Sequence, residues 1–143
     1  MNTAKASVTE ITPYLHVADV EAAGKFYELV GLVRDGEFRD PTGRLVWLTL
    51  ARGKARVMLA LASGPIAAEQ QAALLYMYCD DVKSLRSSLL GAGLMDGGDF
   101  GKAIHSPVLH GAAFEVAYPP YMPGGELRLH DADGYVILIG QHG

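Results

Sequence analysis

ITPYLHVADVEAAGKFYELVGL, residues 11–32, and LLYMYCDDVKSLRSSLLGAGL, residues 74–94, follow one plan. In the first, Ile11, Pro13, Leu15 and Val17 alternate with Thr12, Tyr14 and His16, the period of two of a strand with one apolar face. Asp19 then suits a helix N-cap, because its carboxylate accepts from free backbone N–H groups of the first turn. Val20, Ala23, Tyr27 and Val30 recur at helical spacing, and Gly31 suits the left-handed position after the last turn. In the second stretch a strand leads into Asp81, the helix face is Val82, Leu85, Leu89 and Ala92, and Gly93 closes it. The offset is 62 residues throughout: Tyr14 answers to Tyr76, His16 to Tyr78, Asp19 to Asp81, and Gly31-Leu32 to Gly93-Leu94. Strand, cap, helix face and stop matching together indicate an internal repeat.

Strand signals follow each helix. VRDGEFRD reads as a short strand, and RLVWLTLA with ARVMLALA, split by Arg52-Gly53-Lys54, as a hairpin. The second half offers AAFEVAY, GELRLH and YVILIG, with Asp131-Ala132-Asp133-Gly134 as a solvated last turn. The expectation is an α+β fold of two tandem βαβββ modules, residues 10–62 and 72–141, forming a curved mixed sheet around a cup. SGPIAAEQQAA between them reads as a linker with a helical turn. Neither module buries a sufficient core alone, so residues 1–143 are expected to form one domain. Residues 95–111 lack periodicity and read as a long loop, a lid or rim over the cup.

The chain has 143 residues, half of them hydrophobic, with 20% charged and a net charge of −4. That balance supports no basic nucleic-acid surface and no polybasic membrane patch. No apolar run nears the roughly 20 residues that span a bilayer. The opening MNTAKASVTE lacks the apolar core of a signal peptide. The single cysteine, Cys79, lies on the helix-facing side of its strand, where a buried inert thiol is expected. With no internal disulfide possible, the expected compartment is the cytoplasm.

A doubled β-α-β-β-β chain of this length resembles the vicinal oxygen chelate superfamily of glyoxalases, extradiol dioxygenases, fosfomycin-resistance enzymes and bleomycin-resistance proteins. The resemblance runs from about Ile11 to Gln141. It rests on LHVADVEAAGKFYE at the first strand–helix junction and on LHDADGYVILIGQ at the end. The latter is similar to the family's D-P-D-G-N, with Ala132 and Tyr135 in the proline and asparagine positions. The resemblance implies that the polar face of ITPYLHV looks into a cup, and that two cups combine their walls, often at a dimer interface. Metal-dependent relatives carry H-x-x-L-x-V-x-D on the first strand, whereas this chain has Thr12 ahead of Leu15, Val17 and Asp19. The other matched positions hold Leu74, Met58 or its neighbours, and Leu138 in place of the final glutamate. A catalytic divalent metal needs several converging imidazole or carboxylate ligands. The reading is therefore no metal and no cofactor, on the side of the bleomycin-resistance branch.

Tyr14, His16, Trp47, Tyr76, Tyr78, Arg128 and His130 are the expected ligand-binding residues, an aromatic wall with polar tips suited to a small aromatic or amphipathic molecule. No catalytic residue is assigned; His16 can serve as a general base or as a hydrogen-bonded pocket histidine. Arg128 with Glu126 can bind an anionic group or form an exposed pair. His105 and His110 lack the spacing for a shared metal. The leading expectation is a metal-independent binding protein, a homodimer with a small-molecule ligand and no nucleic acid or membrane partner. The alternative is a metal-dependent lyase, isomerase or dioxygenase built on His16, Glu126 and His130. A scaffold with no small ligand, whose cup is filled by side chains or by the long loop, is the third.

Overall fold

The computed structural model describes residues 6–103 and 111–142. The first half runs β1 (Tyr14–Val17), α1 (Val20–Leu29), β2 (Val33–Arg39), β3 (Leu45–Arg52) and β4 (Ala55–Leu61). A 3-10 turn at Ala68–Gln70 interrupts the connecting segment. The second half runs β5 (Leu74–Cys79), α2 (Val82–Gly91), β6 (Met95–Gly98), α3 (Phe100–Ala103), β7 (Ala112–Phe114), β8 (Glu126–His130) and β9 (Val136–Gln141). Each half makes its own open mixed sheet, ordered β1-β4-β3-β2 and β5-β9-β8-β7-β6. The fold is α+β, as the repeat implies.

Matched residues make matched contacts. Asp19 Oδ1 accepts from the Ala22 N–H at 3.0 Å, and Asp81 Oδ1 from the Ser84 N–H at 3.0 Å. Both helices end in a paired C-terminal closure: Leu32 N–H reaches Tyr27 O and Gly31 N–H reaches Glu28 O, while Leu94 and Gly93 do the same to Leu89 and Leu90. That closure places the residue after the cap in the left-handed region, and Gly31 and Gly93 adopt φ of 103° and 107°. Tyr14 pairs with Met58 on the neighbouring parallel strand as Tyr76 pairs with Leu138, and His16 with Ala60 as Tyr78 with Gly140.

Alternation decides the faces. Leu15, Val17, Leu48, Leu50, Val57 and Leu59 from the first sheet join Leu127, Leu129, Ile137 and Ile139 from the second in one buried cluster that also takes in α1 and α2. The residues between them, Tyr14 and His16 on β1 and Tyr76 and Tyr78 on β5, stay exposed on the faces turned away from α1 and α2.

Four expectations need correction. The first strand begins at Tyr14, not Ile11. Pro13 has no N–H for the ladder and contributes only its carbonyl, which accepts from Met58, and Ile11 is 88% exposed. AAFEVAY is a strand only over Ala112–Phe114, with an isolated bridge from Ala117 to Glu126. The segment after α2 is not loop throughout, since β6 adds an edge strand parallel to β7 and α3 follows it. His105 and His110 lie outside the described residues. Finally, the last turn is buried: Asp131 and Asp133 are 2% and 6% exposed. Asp131 Oδ2 accepts from Tyr27 Oη at 2.9 Å, and Asp133 Oδ1 from the Ala18 N–H at 2.8 Å, so the turn fastens the second half to the first.

Candidate ligand-binding site

On the first sheet, Tyr14 and His16 meet edge-on with ring centroids 6.1 Å apart. Trp47, half-buried, pairs with Ala60 on one side and Phe38 on the other. Since His16 also pairs with Ala60, His16, Trp47 and Phe38 form one row across the face turned away from α1. Below it runs Tyr14, Met58 and Thr49.

The second sheet repeats these rows with different chemistry. Tyr76, Leu138 and Arg128 stand in one row; Tyr78, Gly140 and Glu126 stand in the next. The Tyr76 and Tyr78 rings are 5.3 Å apart, and His142 stacks on Tyr78 at 4.9 Å with 20° between planes. Glu126 is the hub: its carboxylate accepts from Tyr76 Oη at 2.6 Å and from Tyr121 Oη at 3.1 Å. Partial burial, and then that carboxylate, push the Tyr76 hydroxyl's pKa up. For Tyr121 the carboxylate is the larger cause. Both phenols therefore remain protonated donors.

Arg128 does not form the exposed pair with Glu126. Its guanidinium lies 3.6 Å from the Phe100 ring centroid, and its Nε donates to His130 Nε2 at 3.0 Å. Burial pulls its pKa down, opposed by the Glu126 charge. The stacking adds a further attraction that offsets part of that desolvation. His130 is 7% exposed, packed 4.8 Å from Phe114 and 6.0 Å from Phe100. It serves as the acceptor that fixes Arg128.

The seven residues expected from the sequence thus fall into two groups on separate sheets, Tyr14, His16 and Trp47 on one and Tyr76, Tyr78, Arg128 and His130 on the other. Sequence reasoning missed Phe100, Phe114, Tyr121 and His142. Only Phe114 had a signal, its parity with Ala112 in AAFEVAY.

The residues at the positions where the resemblance implies metal ligands do not fit a metal. Met58 and Leu138 occupy the matched places opposite Tyr14 and Tyr76, and Leu74 offers no donor. Glu126 is engaged by two phenols, His130 Nε2 by Arg128, and His16 lies on the other sheet. Among the described residues no three His, Cys, Asp or Glu side chains gather as a metal centre would require.

Two sheets, each entered by a β-α junction and repeated in tandem, make up a fold that several solved structures share. Solved structures that share it include a bleomycin-binding protein complexed with bleomycin, 19% identical over 95% of this chain and 100% of that one, with a TM-score of 0.68. Another is the bleomycin resistance determinant encoded on the transposon Tn5, at 18% identity, 94% and 98% coverage and a TM-score of 0.69. The fosfomycin resistance protein FosX from Mesorhizobium loti also matches, at 14% identity, 96% and 94% coverage and a TM-score of 0.62. No family model and no curated protein matches the sequence. The likeness carries the fold; the chemistry rests on the side chains above.

Proposed function

We propose that this chain is a metal-independent binding protein that holds an aromatic or amphipathic small molecule against the sheet faces turned away from α1 and α2. The observation that carries this reading is the contrast within each face. Rings and polar tips are grouped at Tyr14, His16, Trp47, Tyr76, Tyr78 and Arg128, while the places where metal-dependent relatives hold ligands carry Thr12, Met58, Leu74 and Leu138, at most one hydroxyl among them. Exposed rings give area for stacking, and hydroxyl and guanidinium groups orient the ligand. The bleomycin complex among the structural neighbours supports small-molecule binding on this fold.

The same faces motivate a homodimer. Tyr14, Phe38, Leu74, Tyr76 and Tyr78 are all exposed, and a second copy placed against them would cover apolar surface and close the cup. The lone thiol, whose pKa burial pushes up, fits a cytoplasmic setting.

Elemental analysis of untagged, dialysed protein tests the metal question. The expected result is no stoichiometric zinc, iron, manganese or nickel. Stoichiometric metal that survives dialysis and is lost on His16→Ala would favour the lyase, isomerase or dioxygenase reading. Trp47, the only tryptophan, reports on binding to the first sheet: ligands that occupy this face should alter its fluorescence.

A further inference from the structure

We infer that the Glu126 cluster on the second sheet is a subsite for an organic ammonium group, so that the ligand carries a positive charge beside its apolar body. This deepens the binding function proposed above and rests on it. Four features of the cluster converge. Glu126 takes the place in the second sheet that Trp47 takes in the first, so a carboxylate stands where the first sheet has an indole. Tyr76 and Tyr121 donate to it at 2.6 and 3.1 Å, which fixes its position while using only part of a carboxylate's accepting capacity of about four lone pairs.

The rings of Tyr76, Tyr78 and His142 form a continuous row beside it, with centroids 5.3 and 4.9 Å apart. Aromatic faces carry the negative part of the ring quadrupole, so a row of them beside a carboxylate attracts a cation and discourages an anion. The floor is closed. A side-chain carbon at Gly140 would lie 2.6 Å from Met122 Cε and 3.0 Å from Tyr76 Oη, so both already fill the space that glycine leaves.

Arg128, two residues along the same face, is the nearest argument for an anion instead. Its Nε donates to His130 and its Cζ lies 3.6 Å from the Phe100 ring centroid, so the guanidinium is engaged there, with the Glu126 charge acting on it without a hydrogen bond. Tyr78 is 57% exposed and Glu126 half-buried, so a ligand can reach the cluster from solvent.

The test uses three probes of one shape class, benzyltrimethylammonium, benzyl alcohol and benzoate, titrated into the full chain and followed by amide chemical shifts. Benzyltrimethylammonium should bind tightest and shift residues around Tyr76, Tyr78 and Gly140. Glu126→Gln, which still accepts from the phenols, should weaken it by about tenfold and leave benzyl alcohol unchanged. Tyr78→Leu should weaken the cation in a protein whose carboxylate is intact. If benzyl alcohol or benzoate binds as tightly as the cation, or if Glu126→Gln weakens all three alike, the ammonium subsite is wrong while the aromatic binding face stands. If none of the three perturbs either of these sheet faces, the binding function itself fails and the subsite with it.

Discussion

Asp131 shows how much one side chain can do in this fold. Its Oδ1 accepts the N–H groups of Asp133 and Tyr135 at 3.0 and 2.8 Å, and its Oδ2 the hydroxyl of Tyr27 from the other half of the chain. Burial pushes its pKa up to about 6, against the hydrogen bonds from Tyr27 and Tyr135, which pull the other way. A carboxyl whose pKa is raised on folding adds stability below its unfolded pKa and loses it as pH rises through the folded one. Between pH 4 and 7 the wild type should therefore lose stability relative to Asp131→Asn, by on the order of 3 kcal/mol. Paired urea titrations across that range measure it, and parallel curves would refute it. Tyr27→Phe leaves Asp131 short of a donor and should cost about 1–3 kcal/mol at neutral pH, with a smaller effect in acid. The sequence showed an Asp-Ala-Asp-Gly turn, which by local chemistry belongs in water. Its burial depends on Tyr27 and Ala18, residues more than a hundred positions away, and no local pattern reports such a contact. Glu126 and Arg128 teach the same lesson, since their parity was legible but their partners, Tyr121 and Phe100, lie in segments without period.

Elements were easier to read than residues wherever a local rule fixed them. Asp19, Asp81, Gly31 and Gly93 announce the helix ends because caps and left-handed stops depend on a few adjacent residues. Asp19→Ala should accordingly cost about 1 kcal/mol in chemical denaturation. β6 escaped because Met95-Asp96-Gly97-Gly98 has neither alternation nor β-branched residues. The strand exists by pairing with β7, and Gly97 is what permits it. A side-chain carbon there would lie 2.5 Å from the buried Phe114 ring. Gly97→Ala should therefore destabilise by about 1–3 kcal/mol, the usual cost of overpacking, although alanine is ordinarily neutral at an open site. Because Phe114 packs on His130, the same substitution should disturb the Arg128 end of the wall, visible as shifted Arg128 side-chain resonances. Unchanged stability and unchanged resonances would show that the ring has room to move.

For the whole molecule, the repeat, the fold class and the aromatic rows were legible because each follows from periodicity carried twice by one chain. How the two rows relate in space was not, since parity assigns a face and says nothing of what stands opposite it. Within one chain the rows lie on separate sheets, and the proposed homodimer is the arrangement that would cover them. Sedimentation at micromolar concentration should show a species of twice the 15.3 kDa chain mass, and a purely monomeric protein would refute it. The central claim, binding on these faces without a metal, is tested most directly by a thermal-shift screen of aromatic and amphipathic compounds run in the presence of EDTA. A ligand that binds only the native state raises the melting temperature in step with its concentration over Kd. At least one compound should do so in EDTA, with the shift abolished in a Tyr14→Ala, Tyr78→Ala double variant. Shifts that appear only when a divalent metal is added, or that survive in the double variant, would contradict the account.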